Sequence, residues 1–396
     1  MDSLTQIALG AAVSEVSIGK KIGNRSIFWG GVAGTIPDLD VISNLWMEPL
    51  EALSFHRGIS HSFLFAVVAP PLLGLLVHSI YKSKYHKQIA FTCWSLLFGA
   101  GVVAILLSGA LVAIKIVSVL LLGVIITSFY RRYFRKEREL PKASVKDWTL
   151  MFFFAIVTHP ILDTFTTYGT QLFQPFSDYR VSFCNISVAD LFYTIPLIVA
   201  LVLMSKHDKE KAIRRKIVWI GLGISSLYIM FTFWNKSQIN TVFEQSLIEN
   251  KIDYKRYMTS PTILNNVLWF CIAERENDFV YGLYSVFDSK NRVTLETIPK
   301  SYDLLNAKKS DEAINRLDWF SDGYYTIIER PNEIMQLNDM RFGVFEDGNG
   351  NEDYIFRFDL KKDDSGDYIL VGEQAGPPND KRKDIFKQLW ERIKGV

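Results

Sequence analysis

Residues 56–81 read His56-Arg57-Gly58-Ile59-Ser60-His61-Ser62 and run straight into an apolar stretch, SFLFAVVAPPLLGLLVHSIY (residues 62–81). About 20 apolar residues cover the hydrocarbon core of a bilayer, so 62–81 reads as a membrane span, kinked near Pro70-Pro71. The motif ahead of it carries two imidazoles five positions apart, an arginine, hydroxyls and a glycine that lets the backbone turn tightly. Neutral imidazole is the commonest protein metal ligand, which puts chemistry at the mouth of a span.

Working outward, similar apolar runs fill residues 1–235 of the 396-residue chain. Residues 89–107 and 110–129, joined by Ser108 and Gly109, read as a tight helical hairpin, and 148–165, 187–204 and 217–234 are further spans. Towards the N-terminus, 26–37 is apolar and glycine-rich (Gly30, Gly31, Gly34), a composition that lets helices pack closely in a bilayer. Residues 4–16 are apolar but short, and read as a half-helix, a re-entrant piece or a surface helix. Asp2 stands where a signal peptide has a basic region, and Ser14-Glu15 break the apolar stretch, so no cleavable signal peptide is expected.

Lysine and arginine orient these spans. The connections 17–26, 82–88, 131–147 and 205–216 hold three, three, seven and six of them, whereas the alternate connections hold only Arg57 and Arg180. By the positive-inside tendency the basic loops face the cytoplasm. Asp38, Asp40, His56, His61 and the end of 148–165 then fall at the outer face, and the chain beyond 217–234 emerges there too.

Past Asn235 the composition becomes that of a soluble protein. Residues 264–298, 323–329, 341–346 and 353–359 alternate apolar and polar side chains, as strands do, with a turn at Asp347-Gly348-Asn349-Gly350. Residues 238–257 and 381–394 look helical. The expected fold is a polytopic α-helical membrane protein with a C-terminal soluble α+β domain, divided into a membrane domain at 1–235 and an extracytoplasmic domain at 236–396. A net charge of +2 gives no general pull toward nucleic acid, and Cys93, Cys184 and Cys271 form no CxxC pair or zinc-finger spacing.

The ionisable groups converge. The charge tracing used only lysine and arginine, yet it brings Asp38, Asp40, His56, His61, His159, Asp163 and Asp190 to one depth, joined by Asp2 if the N-terminal segment starts outside. His159 and Asp163, four apart, share a helix face. Singly, each has a plainer reading: Asp40 as a helix cap, His56 and His61 as loop residues, His159 as a donor to a neighbouring carbonyl. Together, histidine and carboxylate suit a divalent metal, zinc first, with manganese or iron as alternatives.

Four segments in this order, Met1-Asp2-Ser3-Leu4-Thr5, Pro37-Asp38-Leu39-Asp40, His56 to Ser62, and His159-Pro160-Ile161-Leu162-Asp163-Thr164-Phe165-Thr166-Thr167-Tyr168-Gly169, resemble the YdjM-like family of bacterial inner-membrane proteins, described as metal-dependent hydrolases. The resemblance covers roughly residues 1–200 and implies a membrane-embedded metallohydrolase. Many members have histidine where this chain has Gln6.

The leading expectation is a hydrolase at the outer face of the cytoplasmic membrane. Its metal ligands come from Asp38, Asp40, His56, His61, His159 and Asp163, and a metal-activated water is the nucleophile. Whichever of Asp38, Asp40 and Asp190 is not a ligand acts as general base, and Arg57 clamps an anionic group. Thr164, Thr166 and Thr167 orient substrate or cap the helix end. A site at the bilayer edge favours a lipid or lipid-linked phosphoester as substrate; the oligomeric state stays open. The rivals are a metal-stabilised membrane anchor that presents residues 236–396, and an ion- or proton-coupled transporter.

Overall fold

The computed structural model describes residues 1–107, 112–134, 139–305, 311–346, 352–375 and 382–395. The N-terminal part is helical: α1 (Ser3–Ile22), α2 (Arg25–Thr35), α3 (Pro49–Phe55), α4 (Phe63–Lys82), α5 (His86–Leu107), α6 (Val112–Tyr133), α7 (Val145–Asp163), α8 (Leu191–Ser205) and α9 (Ala212–Glu249). Among the described residues, five helices are long and apolar enough to cross a membrane: α4, α5, α6 over Ile114–Arg131, α7 and α9; α8 is apolar but shorter. The link at Ser108-Gly109 lies outside the described residues.

The short N-terminal stretch is more than a half-helix. Asp2 caps α1 by accepting from the Thr5 amide at 3.1 Å, and Gly23, at φ 61°, ends it. At one end Lys21 Nζ reaches Asp147 Oδ2 in the first turn of α7 (2.6 Å); at the other, Gln6 reaches Asp163, the last residue of α7. α1 therefore runs antiparallel to α7 over the same depth. α2 folds back against α1 through glycines: a methyl on Gly30 would collide with the Gly10 carbonyl and Ser14, and one on Gly34 with the Gln6 carbonyl. Away from the site, Glu15 is buried because Arg214 of α9 reaches it with Nε at 2.6 Å and Nη2 at 2.7 Å. The helix α4 is continuous across Pro70-Pro71.

The C-terminal part holds two four-stranded antiparallel sheets, each in sequential order. The first contains β1 (Arg256–Pro261), β2 (Leu268–Glu274), β3 (Asp278–Ser285) and β4 (Glu296–Pro299). The second contains β5 (Tyr325–Arg330), β6 (Ile334–Glu346), β7 (Glu352–Lys362) and β8 (Tyr368–Ala375). The helix expected at 238–257 is the end of α9, which passes Asn235 without a break and stops at Glu249, and β1 starts at Arg256. Glu346 pairs with Glu352, closing a β6–β7 hairpin around residues 347–350, which lie outside the described residues.

Ile239, Phe243 and Leu247 of α9 pack on Trp269, Cys271 and Val280 of the first sheet. The sheets meet through Phe270, Ile272 and Tyr281 on one side and Tyr324, Met340 and Tyr354 on the other. Helix α10 (Glu312–Ser321) covers the second sheet with Leu317 and Phe320, and Leu50 and Leu53 of α3 enter that cluster; α11 (Arg382–Ile393) closes the chain. The sheets thus sit on the loops that carry the aspartate and histidine motifs.

Candidate metal centre

Three segments supply the centre. Asp38 stands in the first turn of the 3-10 helix Pro37–Leu45 that follows α2, and His61 ends the 3-10 helix Ile59–His61 ahead of α4. His159 and Asp163 are one turn apart at the end of α7 and face the same way. One ligand atom from each of these four residues lies within 4.8 Å of all the others. His61 Nε2 and His159 Nε2 are 3.1 Å apart, and Asp38 Oδ1 is 3.3 Å from both. Asp163 Oδ2 lies 3.5 Å from His61 Nε2 and 3.4 Å from His159 Nε2.

The hydrogen bonds behind these atoms set the tautomers. His159 Nδ1 donates to the Gly34 carbonyl at 2.6 Å, and His61 Nδ1 faces Ser60 Oγ at 3.0 Å and Asp40 Oδ2 at 3.3 Å. With both rings neutral, the form in which imidazole binds a metal, each turns an Nε2 lone pair into the centre. Asp163 Oδ1 accepts from Gln6 Nε2 at 3.0 Å and from the Met1 amine, while its buried Oδ2 has no hydrogen-bond partner. Lone pairs converging on a point, with one carboxylate oxygen unsatisfied, form an arrangement that could hold a metal ion.

Asp40 lies behind His61 rather than among the four. It accepts from His56 Nδ1 (2.8 Å), the Arg57 amide (3.0 Å) and Ser60 Oγ (2.8 Å), so it orients His61 in the way outer carboxylates orient metal-bound histidines. His56 is one layer further out and 26% exposed. Arg57 holds a positive φ of 59°, costly for a side chain other than glycine, and its Nη1 donates to Thr166 Oγ1 at 3.1 Å. Its Nε lies 3.5 Å from Asp163 Oδ2 without bonding to it, and its guanidinium covers the Tyr168 ring at 4.7 Å. Asp190 is elsewhere: it caps α8 by accepting from the Phe192 and Tyr193 amides, and it accepts from Tyr228. Thr164 and Thr166 bond back to the end of α7, at Ile161 and Asp163 carbonyls, while Thr167 lines a neighbouring cavity.

Burial raises the carboxyl pKa of Asp38 and Asp40, but histidine hydrogen bonds outweigh it and hold both well below the usual range. Burial lowers the His61 pKa, and the carboxylates of Asp163, Asp38 and Asp40 more than reverse this, lifting it to about 10. Gln6 is the residue that sequence reasoning left out. Its one signal was its place beside the first segment that carries the family resemblance, where many members have histidine; here it donates to Asp163 Oδ1 and leaves Oδ2 free.

The YdjM inner membrane protein family model matches residues 1–113 and 115–239, more than half of the chain. The chain belongs to the YdjM inner membrane protein family. All four cluster residues, with Gln6, Asp40 and Arg57, lie inside the part matched to YdjM; the two sheets lie outside it. No curated protein matches the chain, and no solved structure matches it either. YdjM membership and the five apolar helices make it a multi-pass inner-membrane protein.

Proposed function

We propose that the chain is a metal-dependent hydrolase acting at the outer face of the inner membrane on a phosphoester of a lipid or lipid-linked substrate. The observation that carries this is the set of converging atoms: two Nε2 lone pairs and the unsatisfied Asp163 Oδ2, with Asp38 beside them. Zinc is the metal favoured by the donor set, two imidazoles with carboxylates. The five separations that involve an imidazole run from 3.1 to 3.5 Å. A bound divalent metal supplies a water acidic enough to ionise near neutrality.

The chain's own residues would divide the work. His61, His159 and Asp163, all fully buried, hold the metal. Asp38, whose side chain is 22% exposed, is placed to accept a proton from the solvent side. Arg57 faces the cluster with a guanidinium that suits a phosphoryl oxygen. The basic residues Lys21 and Arg214 lie at the opposite end of the bundle, which supports an outward-facing site beneath an extracytoplasmic 236–396 domain on a 1–235 membrane domain.

One observation favours a second reading, a metal-stabilised anchor: Asp38 Oδ1 is as close to both imidazoles as a fourth ligand would be. Asp38→Asn separates the two. Metal retained with turnover lost supports hydrolysis, assayed against phosphorylated lipids and lipid-linked phosphates; metal lost, with no turnover of any such substrate by the wild type, supports the anchor. Orientation is checked with Glu276→Cys, an exposed site in the β2–β3 turn, and an impermeant thiol reagent. Labelling only after the cells are opened would invert the topology.

A further inference from the structure

Beside the metal centre, a cavity of about 640 Å³ opens between the loop that follows α7 and the sheets. Four cations line it: Arg180, Lys236, Arg256 and Arg341. Two of these are neutralised. Arg341 makes a bidentate pair with Asp339, and Arg256 bonds Glu274 and Asp322. The other two are not. Arg180 donates to the Phe320 and Tyr168 carbonyls, and Lys236 to the Cys184 and Thr259 carbonyls; neither has a carboxylate within ion-pair distance among the described residues. Burial and the neighbouring Arg341 push the Arg180 pKa down to about 9. Asp178 also lines the cavity but is exposed and pairs with neither, so these recessed cations bond only to carbonyls.

The cations are held in place by aromatic rings. Arg57 and Arg180 each lie 4.7 Å from the Tyr168 ring, Arg180 lies 4.5 Å from the Phe320 ring, and Arg341 lies 5.2 Å from the same ring. Tyr168 and Phe320 are themselves 5.2 Å apart. Cations and rings thus alternate from the metal centre into the sheets, with one aromatic ring linking the cavity to Arg57. Two separate cations, a guanidinium and an ammonium, suit an anion with several charged oxygens such as a phosphate, and the volume takes an organic body as well.

We propose that this cavity binds the phosphate-bearing head of an organic molecule, with Arg180 and Lys236 as its principal contacts. That the bound head belongs to the substrate rests on the hydrolase reading; that the cavity binds it does not.

The test is calorimetric titration of full-length protein in detergent with pyrophosphate, in excess chelator so that no metal contributes. Wild type is expected to bind saturably. Arg180→Gln and Lys236→Met should each weaken binding at least tenfold, and the control Lys361→Gln, on an exposed part of β7, should not. Asn240→Asp keeps the acceptor that bonds Thr259 while adding a negative charge to the cavity wall one turn from Lys236. It should abolish binding and needs no loss of an anchoring side chain. Unchanged affinity in Asn240→Asp and Lys236→Met, or no saturable binding by wild type, would overturn the proposal. Displacement of pyrophosphate by phosphatidic acid bicelles, with phosphatidylcholine bicelles inert, identifies a lipid head; displacement only by soluble organophosphates identifies a free ligand. Protein that binds pyrophosphate but turns over nothing after metal reloading keeps the site and removes the hydrolase.

Discussion

Replacing His159 with alanine removes one corner of the metal centre and changes little around it. The ring is buried, its Nδ1 bonds only the Gly34 carbonyl, and its Nε2 lies 3.1 to 3.4 Å from the ligand atoms of His61, Asp38 and Asp163. Structural zinc sites in small domains gain about 10–16 kcal/mol from four ligands at neutral pH. Equal shares assign about 2.5–4 kcal/mol to each corner, a loss of roughly 10²–10³ in affinity. Competition against a chromogenic chelator in detergent measures this directly, with His207→Ala as the control. His56→Ala is the informative comparison, because the structure places it behind Asp40 rather than in the centre. Its loss should stay nearer the 10–100-fold typical of groups that orient a ligand. Wild-type affinity in His159→Ala, or an equal loss in His207→Ala, would refute the assigned centre.

Three further outcomes are expected. Glu15→Leu should destabilise the protein by about 3–5 kcal/mol in detergent unfolding, since it leaves Arg214 buried without its carboxylate, and adding Arg214→Met should restore most of that. Metal affinity should rise with pH: a His61 pKa raised from 6.5 to about 10 stabilises the protonated, metal-free site fully below about pH 6.5, and this stabilisation fades as pH climbs toward 10. Below pH 10, binding should therefore release about one proton and tighten about tenfold per pH unit; a flat profile between pH 6.5 and 8.5 would show that His61 does not titrate in this way. Gly30→Leu should separate α1 from α2 and lower both thermal stability and metal content, since the added side chain has no room at the Gly10 carbonyl.

The parts of this molecule legible in its sequence are those governed by local spacing or by charge. His159 and Asp163 face one way because they are one helical turn apart, and the apolar spans follow from their length. The depth shared by Asp38, His61 and His159 followed from lysine and arginine elsewhere in the chain. What stayed hidden depends on distant partners. Glu15 looked like a break in an apolar stretch, and only Arg214, 199 positions away, makes it a buried residue of a full-length helix. His56 and Asp40 were indistinguishable from ligands, because their layer is set by how the 3-10 segments fold on α7. The helix expected at 238–257 overruns into Arg256 and Tyr257, the first two residues of β1, since Tyr254 to Tyr257 carry no alternation that sets a strand apart from a helix end.

The unbroken course of α9 has a consequence for how the sequence can change. Its 38 residues form a rod of about 57 Å that belongs to the bundle at one end and to the first sheet at the other. On such a rod each residue adds about 1.5 Å and about 100° of rotation. Inserting or deleting a single residue between Asn235 and Ile239 would swing the whole sheet assembly around the helix axis, carrying Tyr257 and Thr259 away from Tyr168 and Arg180. The angular phase between the membrane bundle and the sheets is thus written as a residue count along one helix. Substitutions there leave it intact, and a frame change of one position does not.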